Sequence, residues 1–288
     1  MDTKELIKKI HRLEIKTKGL TKHIFSGEYH SAFKGKGMTF SEVRDYHFGD
    51  EVRTIDWNVT ARFNTPFVKV FDEERELTVM LIIDVSGSED FGSDQKTKKD
   101  LALEIAAVLA FSAISNNDKV GAIFVSDTVE KYIAPEKGKK HALVILRQLI
   151  ELKAKSKGTN LNEGLKFFRN TQKKRSICFV LSDFMDDNDF MEGMNVSRKK
   201  HDLVAIKLED KSEYLLPKMG YIQLYNAETN ATTWVNSNDP TVRENYRNAY
   251  TIKTDETLKA LKKSGIDSVV INTDENFILP LVQLFKKR

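Results

Sequence analysis

From Leu77 onward, short apolar runs alternate with stretches of helical periodicity, and that rhythm leaves few folds open to the chain. LTVMLIID reads as a strand, and Lys98–Asn116 as a long helix that is apolar on nearly every side. KVGAIFVSD and VEKYIAP are parted only by Asp127–Thr128, too close for a crossover, so they predict a hairpin. Lys139–Leu152 and Leu161–Asn170 read as helices, Ser176–Ser182 as a strand, Asp189–Lys200 as a helix and HDLVAIKLED as a strand. YIQLYNAETNATTWVN alternates and turns at Glu228–Asn230, a second hairpin. A helix through Arg243–Lys263, the strand GIDSVVINT and the helix NFILPLVQLFKKR complete the pattern. Parallel neighbours need long crossovers, so residues 77–288 are expected to form a doubly wound α/β domain. Its sheet is mostly parallel and covered on both faces. Ligands of such sheets bind outside the carboxyl ends of the strands. Asp84 and Asp183 each stand at one of those ends.

Residues 1–76 follow another pattern. Gly27, Gly35, Gly37 and Gly49 punctuate short alternating segments, predicting a small irregular or β-rich lobe before the α/β domain. Leu6, Ile10 and Leu13 recur at helical spacing within residues 1–23, which hold seven basic and three acidic groups. That segment accounts for the whole net charge of +4, and the rest of the chain balances. A duplex binder spreads its basic excess over a folded face, so no nucleic acid is expected. An amphipathic helix with its lysines in water is the simpler reading; contact with a membrane surface or nucleic acid is the other.

No apolar run approaches the ~18 residues of a membrane-spanning helix, and the first residues, MDTKELIKK, do not resemble a signal peptide. A cytoplasmic protein is therefore expected. The single cysteine, Cys178, lies in the apolar strand SICFVLSDF and reads as an inert core thiol. There is no G-x-x-x-x-G-K-[ST] phosphate loop, and the six histidines form no H-E-x-x-H pair. Two residues beyond Asp84, where an aspartyl phosphotransferase places its general acid, stands Ser86. The chain reads as a non-enzyme. Metal-assisted phosphate hydrolysis through Asp186, Asp187 and Asp189 is the alternative, and a solvated acidic loop is the plain reading of that cluster.

The buried strand LTVMLIID runs directly into Asp84, Ser86 and Ser88, three oxygen side chains spaced by two. Turn chemistry alone produces such residues, and Thr159, in KSKGTNLNEGL, is equally a plausible helix cap beside Asn160 and Asn162. Taken together with Asp183, however, three loops at one sheet edge offer two carboxylates and three hydroxyls. That donor set suits magnesium, manganese or calcium and is wrong for zinc or copper. Hydroxyls of Ser86, Ser88 and Thr159, with waters held by Asp84 and Asp183, would leave the cation short of anionic ligands. A partner's Glu or Asp would complete the shell. Asp84→Ala is expected to abolish partner capture and leave the domain folded.

These residues resemble the metal-ion-dependent adhesion site of von Willebrand factor type A domains: D-x-S-x-S at Asp84, Ser86 and Ser88, then Thr159 and Asp183 in later loops. The resemblance implies a central sheet with flanking helices and a cation, usually magnesium, that helps hold a protein ligand. Glu89 and Asp90 depart from it, since a small or apolar residue is usual after the second serine. Upstream, G-K-G at 35–37 and FSEVRDYHFGDEVRTIDWNVTAR resemble the signature of the domain-of-unknown-function family numbered fifty-eight. Its members carry such a lobe before a type A-like domain and are commonly encoded beside MoxR-type AAA+ ATPases, in some bacteria within an aerotolerance operon. A MoxR-type partner in protein assembly or maturation is what this implies. Within the signature, Arg44, Tyr46, Asp50, Arg53, Asp56, Trp57 and Arg62 are expected to be structural, with Arg and Asp fixing turns and Trp57 in the core.

Overall fold

The computed structural model describes residues 38–73, 77–87, 92–93, 96–156, 158–186, 188–225 and 232–288. The expected helix over residues 1–23, the G-K-G element, Ser88 with Glu89 and Asp90, Asp187 and the turn at Glu228–Asn230 lie outside the described residues. The rest falls into two compact units, drawn from Lys34–Leu77 and from Thr78–Arg288.

In the smaller unit, strand β1 (Met38–Asp45) pairs antiparallel with β2 (Phe67–Glu73), with a register shift between Phe40 and Glu42. A single 3-10 turn at Val52–Thr54 and helix α1 (Trp57–Phe63) connect them. Asp56 starts α1: its Oδ1 accepts the amides of Asn58 and Val59 at 3.0 and 3.3 Å, satisfying donors that a helix start leaves open. Asn64 ends it in the left-handed region, φ 56°. The only fully buried apolar side chain described in this unit is Val68. Trp57 is not in a core: it is 66% exposed, because it occupies the first position of a one-sided helix of seven residues.

The larger unit carries a six-stranded sheet in the order β12-β9-β8-β3-β6-β7. Its strands are β3 (Thr78–Asp84), β6 (Lys119–Val125), β7 (Val129–Glu136), β8 (Ile177–Ser182), β9 (Asp202–Glu209) and β12 (Asp267–Asn272). All neighbours are parallel except β6 and β7, the tight hairpin read from the two-residue gap. The connecting helices are α2 (Lys98–Ser115), α3 (Lys139–Glu151), α4 (Leu161–Thr171), α5 (Phe190–Arg198), α6 (Pro240–Lys263) and α7 (Ile278–Lys286). Two minor ribbons complete the unit, β4 (Gly92–Ser93) with β5 (Lys96–Thr97) and β10 (Tyr221–Tyr225) with β11 (Thr232–Asn236). The expected elements from Leu77 to the last helix are all present, with ends moved by one to three residues.

Burial follows from the pattern. Val79 to Ile83 of β3 and Ile177 to Leu181 of β8 are closed to solvent on both faces, as the centre of a covered parallel sheet requires. Met80, Ile82, Cys178 and Val180 join Leu165 and Phe168 of α4 and Met194 of α5 in one apolar cluster. Helix α2 lies against β3 and β6 and packs on α3, while α4 packs on α5. Leu101 to Phe111 of α2 are all buried except Glu104, so its lack of a polar face reflects cover from several sides. Thr97 caps it through Oγ1, which accepts the Asp100 amide at 3.1 Å, and the Asp100 carboxylate returns the contact.

The connections decide where a site can form. From β3 the chain crosses by α2 to β6 on one side. From β8 it crosses by α5 to β9 on the other. Right-handed crossovers running in opposite directions place their helices on opposite faces and leave a crevice between the two strands where they start. That switch point lies between the carboxyl ends of β3 and β8.

Candidate functional site

Asp84 is the last residue of β3, and Asp183 follows the last residue of the adjacent β8. Both are 2% exposed. The Asp84 carboxylate is gripped by local geometry: Oδ1 accepts the Ser86 amide at 2.9 Å, and Oδ2 accepts the Ser182 hydroxyl at 2.7 Å. Ser182 Oγ in turn accepts the Phe184 amide at 3.0 Å, so one hydroxyl ties the two strand ends together. Phe184 takes φ 52°, turning the chain sharply behind Asp183. Ser86 is buried beside Asp84.

Thr159 is 8% exposed in the loop that leads to α4. On one side of it the Asn160 amide donates to Ser126 O at 2.8 Å, at the exit of β6. On the other, Asn188 Nδ2 donates to Thr159 O at 3.1 Å, from the loop after β8. Because β3 lies between β8 and β6, a loop bonded to both exits straddles the end of β3. Asp84, Ser86, Thr159 and Asp183 thus stand in loops at the same carboxyl edge of the sheet. Ser88, the fifth expected member, is outside the described residues.

Asn160, at the start of α4, makes no capping bond with its side chain. Asp186 reaches across from the loop after β8: its Oδ2 accepts the Leu161 amide at 2.9 Å, and its Oδ1 accepts both nitrogens of Asn188 at 2.7 and 2.8 Å. The acidic loop is therefore structural rather than solvated, at least at Asp186, which is 6% exposed. Asp186→Ala is expected to lower stability by about 1 kcal/mol, the usual cost of a lost helix cap, measured as a shift in urea midpoint with unchanged slope.

Asp183 is engaged by buried cationic groups. Its Oδ2 lies 2.6 Å from the ammonium of Lys98, the first residue of α2, which is closed to solvent. The same ammonium lies 2.6 Å from Glu213 Oε1. Asp183 Oδ1 accepts the Met185 amide at 3.0 Å, and its backbone oxygen accepts from Lys207 Nζ. Lys207 is likewise buried, 3.7 Å from Glu209 and 5.4 Å from the Tyr250 ring centre on α6. Glu213 Oε2 accepts the Asp210 amide at 3.0 Å and the Tyr250 hydroxyl at 3.4 Å. Lys253, also on α6, donates to Met185 O at 2.8 Å.

The two aspartates therefore stand in different fields. Burial opposes the charged form of both. At Asp183 the ammoniums of Lys98 and Lys207 overcome burial and hold the carboxyl below its usual range. At Asp84 burial, reinforced by the charge of Asp183, pushes the carboxyl up to about 7. Among the described residues no cationic side chain pairs with Asp84. Burial also raises Glu209 and lowers Lys207. Cys178, in mid-strand, is buried and its thiol is pushed up, which keeps it unreactive.

In the smaller unit Arg44 makes a two-pronged contact with Asp50, both bonds at 2.8 Å, and Asp50 also accepts the His47 amide at 2.8 Å. Those donors lower Asp50 to about 2. Asp56 caps α1 and pairs with Lys69 at 3.5 Å rather than with an arginine. Tyr46 is half-buried, its amide bonded to Pro66 O at 2.9 Å. Arg53 and Arg62 are exposed, in the 3-10 turn and the last turn of α1.

Sequence reasoning missed Lys98, Lys207, Glu209, Glu213 and Tyr250. One signal was available: Lys207 is the only charge inside DLVAIKLE between its first residue and its final glutamate, and a buried strand tolerates an ammonium only where acceptors await it.

A doubly wound, mostly parallel sheet with Asp84 and Asp183 at its switch point is the α/β architecture that the type A-like resemblance implied. Residues 42–256 match the family described as Protein of unknown function DUF58, and the chain belongs to it. An uncharacterized protein of Mycobacterium tuberculosis is 26% identical over 290 residues, covering 100% of this chain and 91% of the relative. Among solved structures, an aerotolerance-related membrane protein from Bacteroides fragilis, with multiple mutations to serines, shares the fold. It superposes with a TM-score of 0.50 at 14% identity, over 74% of this chain and 100% of that one. The VWA domain of SpRpn10 gives a TM-score of 0.43 at 10% identity, over 74% and 95%. Among the described residues no helix is long and apolar enough to cross a membrane.

Proposed function

We propose that this chain is a non-enzymatic protein-binding adaptor whose crevice takes a divalent cation, magnesium foremost, with manganese or calcium as substitutes. Asp84, Ser86, Thr159 and Asp183 would hold it, with Ser88 as a further hydroxyl. When bound, the cation would supply a Lewis-acidic position for a partner's Glu or Asp. Asp84 carries this reading. It is a buried carboxylate at the switch point, its described partners are neutral donors, and its charged neighbour is another carboxylate. A buried charge in that state draws in a proton or a cation. The surrounding donors are all oxygens, which hard cations prefer. Among the described residues no group of three or more His, Cys, Asp or Glu is placed to hold a metal ion. The phosphohydrolase alternative loses ground at Asp186, whose oxygens are committed to Leu161 and Asn188.

The family resemblance supplies a MoxR-type AAA+ ATPase as the partner to try, in the cytoplasm. Full-length protein would be used to capture the cell's MoxR-type ATPase with magnesium, with chelator, and with chelator followed by excess magnesium. Capture is expected only in the first and third conditions, and not at all by Asp84→Asn. Capture that persists through chelation and in the variant would overturn the metal-bridged mechanism.

A further inference from the structure

Lys98 is an unusual neighbour for a cation site. Its ammonium is closed to solvent and reaches Asp183 Oδ2 and Glu213 Oε1 at 2.6 Å each. It begins a helix whose capping box fixes the backbone there, so it is installed by the fold rather than drawn in from the surface. An ammonium on one oxygen of Asp183 lowers the charge that oxygen offers to anything else and repels a dication nearby. Glu213 pulls the other way, because it shares the ammonium. Glu213 is itself fixed by the Asp210 amide and the Tyr250 hydroxyl, and its side chain remains 14% exposed.

We infer that Lys98 is a positioning residue that competes with the divalent cation for Asp183, and that Glu213 tunes this competition by sharing the ammonium. The inference rests on the cation reading of the crevice. It assigns to this chain a deliberately weakened site, in which the acidic residue of a partner completes a cation that Asp84 and Asp183 alone hold loosely. It also gives two substitutions opposite effects on metal affinity. Removing the ammonium frees Asp183 and tightens binding. Removing the Glu213 charge turns the ammonium more fully onto Asp183, subtracts one negative charge, and weakens it.

The test is Mn2+ titration of the full-length chain, followed by electron paramagnetic resonance of the free ion, on wild type, Asp84→Asn, Lys98→Met and Glu213→Gln. Lys98→Met is expected to bind Mn2+ at least tenfold more tightly than wild type and Glu213→Gln about tenfold more weakly. Asp84→Asn should lose binding. Weaker binding in both the Lys98 and Glu213 variants would mean that they only support the fold, and the inference fails while the cation reading survives. Unchanged binding in both overturns the inference in the same way. If neither wild type nor Lys98→Met takes up Mn2+, inference and reading fall together. Should Lys98→Met not fold, Glu213→Gln decides: equal or tighter binding there overturns the competition.

Discussion

Asp84→Asn is expected to be more stable than wild type at pH 8 in the presence of chelator. In the native protein Asp84 keeps its proton up to about pH 7, whereas the unfolded chain releases it near pH 4. Between those values the folded state binds more protons, so stability falls as pH rises through the window and levels off above it. Asparagine removes the ionisation and preserves the shape. It still accepts the Ser86 amide, and the Ser182 hydroxyl can turn to accept the new amide nitrogen. Each pKa unit is worth about 1.4 kcal/mol, so the gain is roughly 1–4 kcal/mol above pH 7 and vanishes below pH 4. Urea unfolding at pH 5, 6, 7 and 8 measures it directly. A variant less stable than wild type across that range would show that Asp84 is an ordinary structural carboxylate.

The same chemical change one strand away should have the opposite sign. Asp183→Asn removes the negative partner of a buried ammonium, and breaking one side of a buried ion pair costs about 3–5 kcal/mol. Glu213 still holds Lys98, so a loss of roughly 3 kcal/mol is expected at pH 7. Asp183 is held below its normal range, so its contribution is complete above the unfolded value near 4 and is lost as pH falls through the lower folded value. The penalty should therefore be full at neutral pH and shrink in strong acid. Two conservative substitutions at adjacent strand ends would thus separate a carboxylate whose charge opposes the fold from one whose charge supports it. Equal effects of the two would mean that Lys98 serves both carboxylates alike.

Much of this was legible from residues 77–288 read as a string. The period of the apolar residues fixed strand and helix types, because burial on two faces, one face or all round leaves different repeats. The two-residue gap at Asp127–Thr128 required the hairpin. The carboxyl-end positions of Asp84 and Asp183 followed from parallel strands alone. The lobe was less legible: Trp57 was expected in the core, yet it opens a seven-residue helix with no buried residue and is exposed.

The sequence by itself determined the α/β class, the sheet edge at which chemistry can occur, and an oxygen-only donor set. It could not determine charge. Lys98 lies 85 residues from Asp183 and 115 from Glu213, so nothing local marks them as one cluster. Tertiary structure decided that Asp183 is paired and Asp84 is not, and that Asp186 serves a helix start 25 residues away. Hydrophobic periodicity is written along the chain because each element must bury its own face. Electrostatic balance is settled only when distant elements meet in a low-dielectric interior, where a few ångströms decide whether a carboxylate keeps a proton or an ammonium.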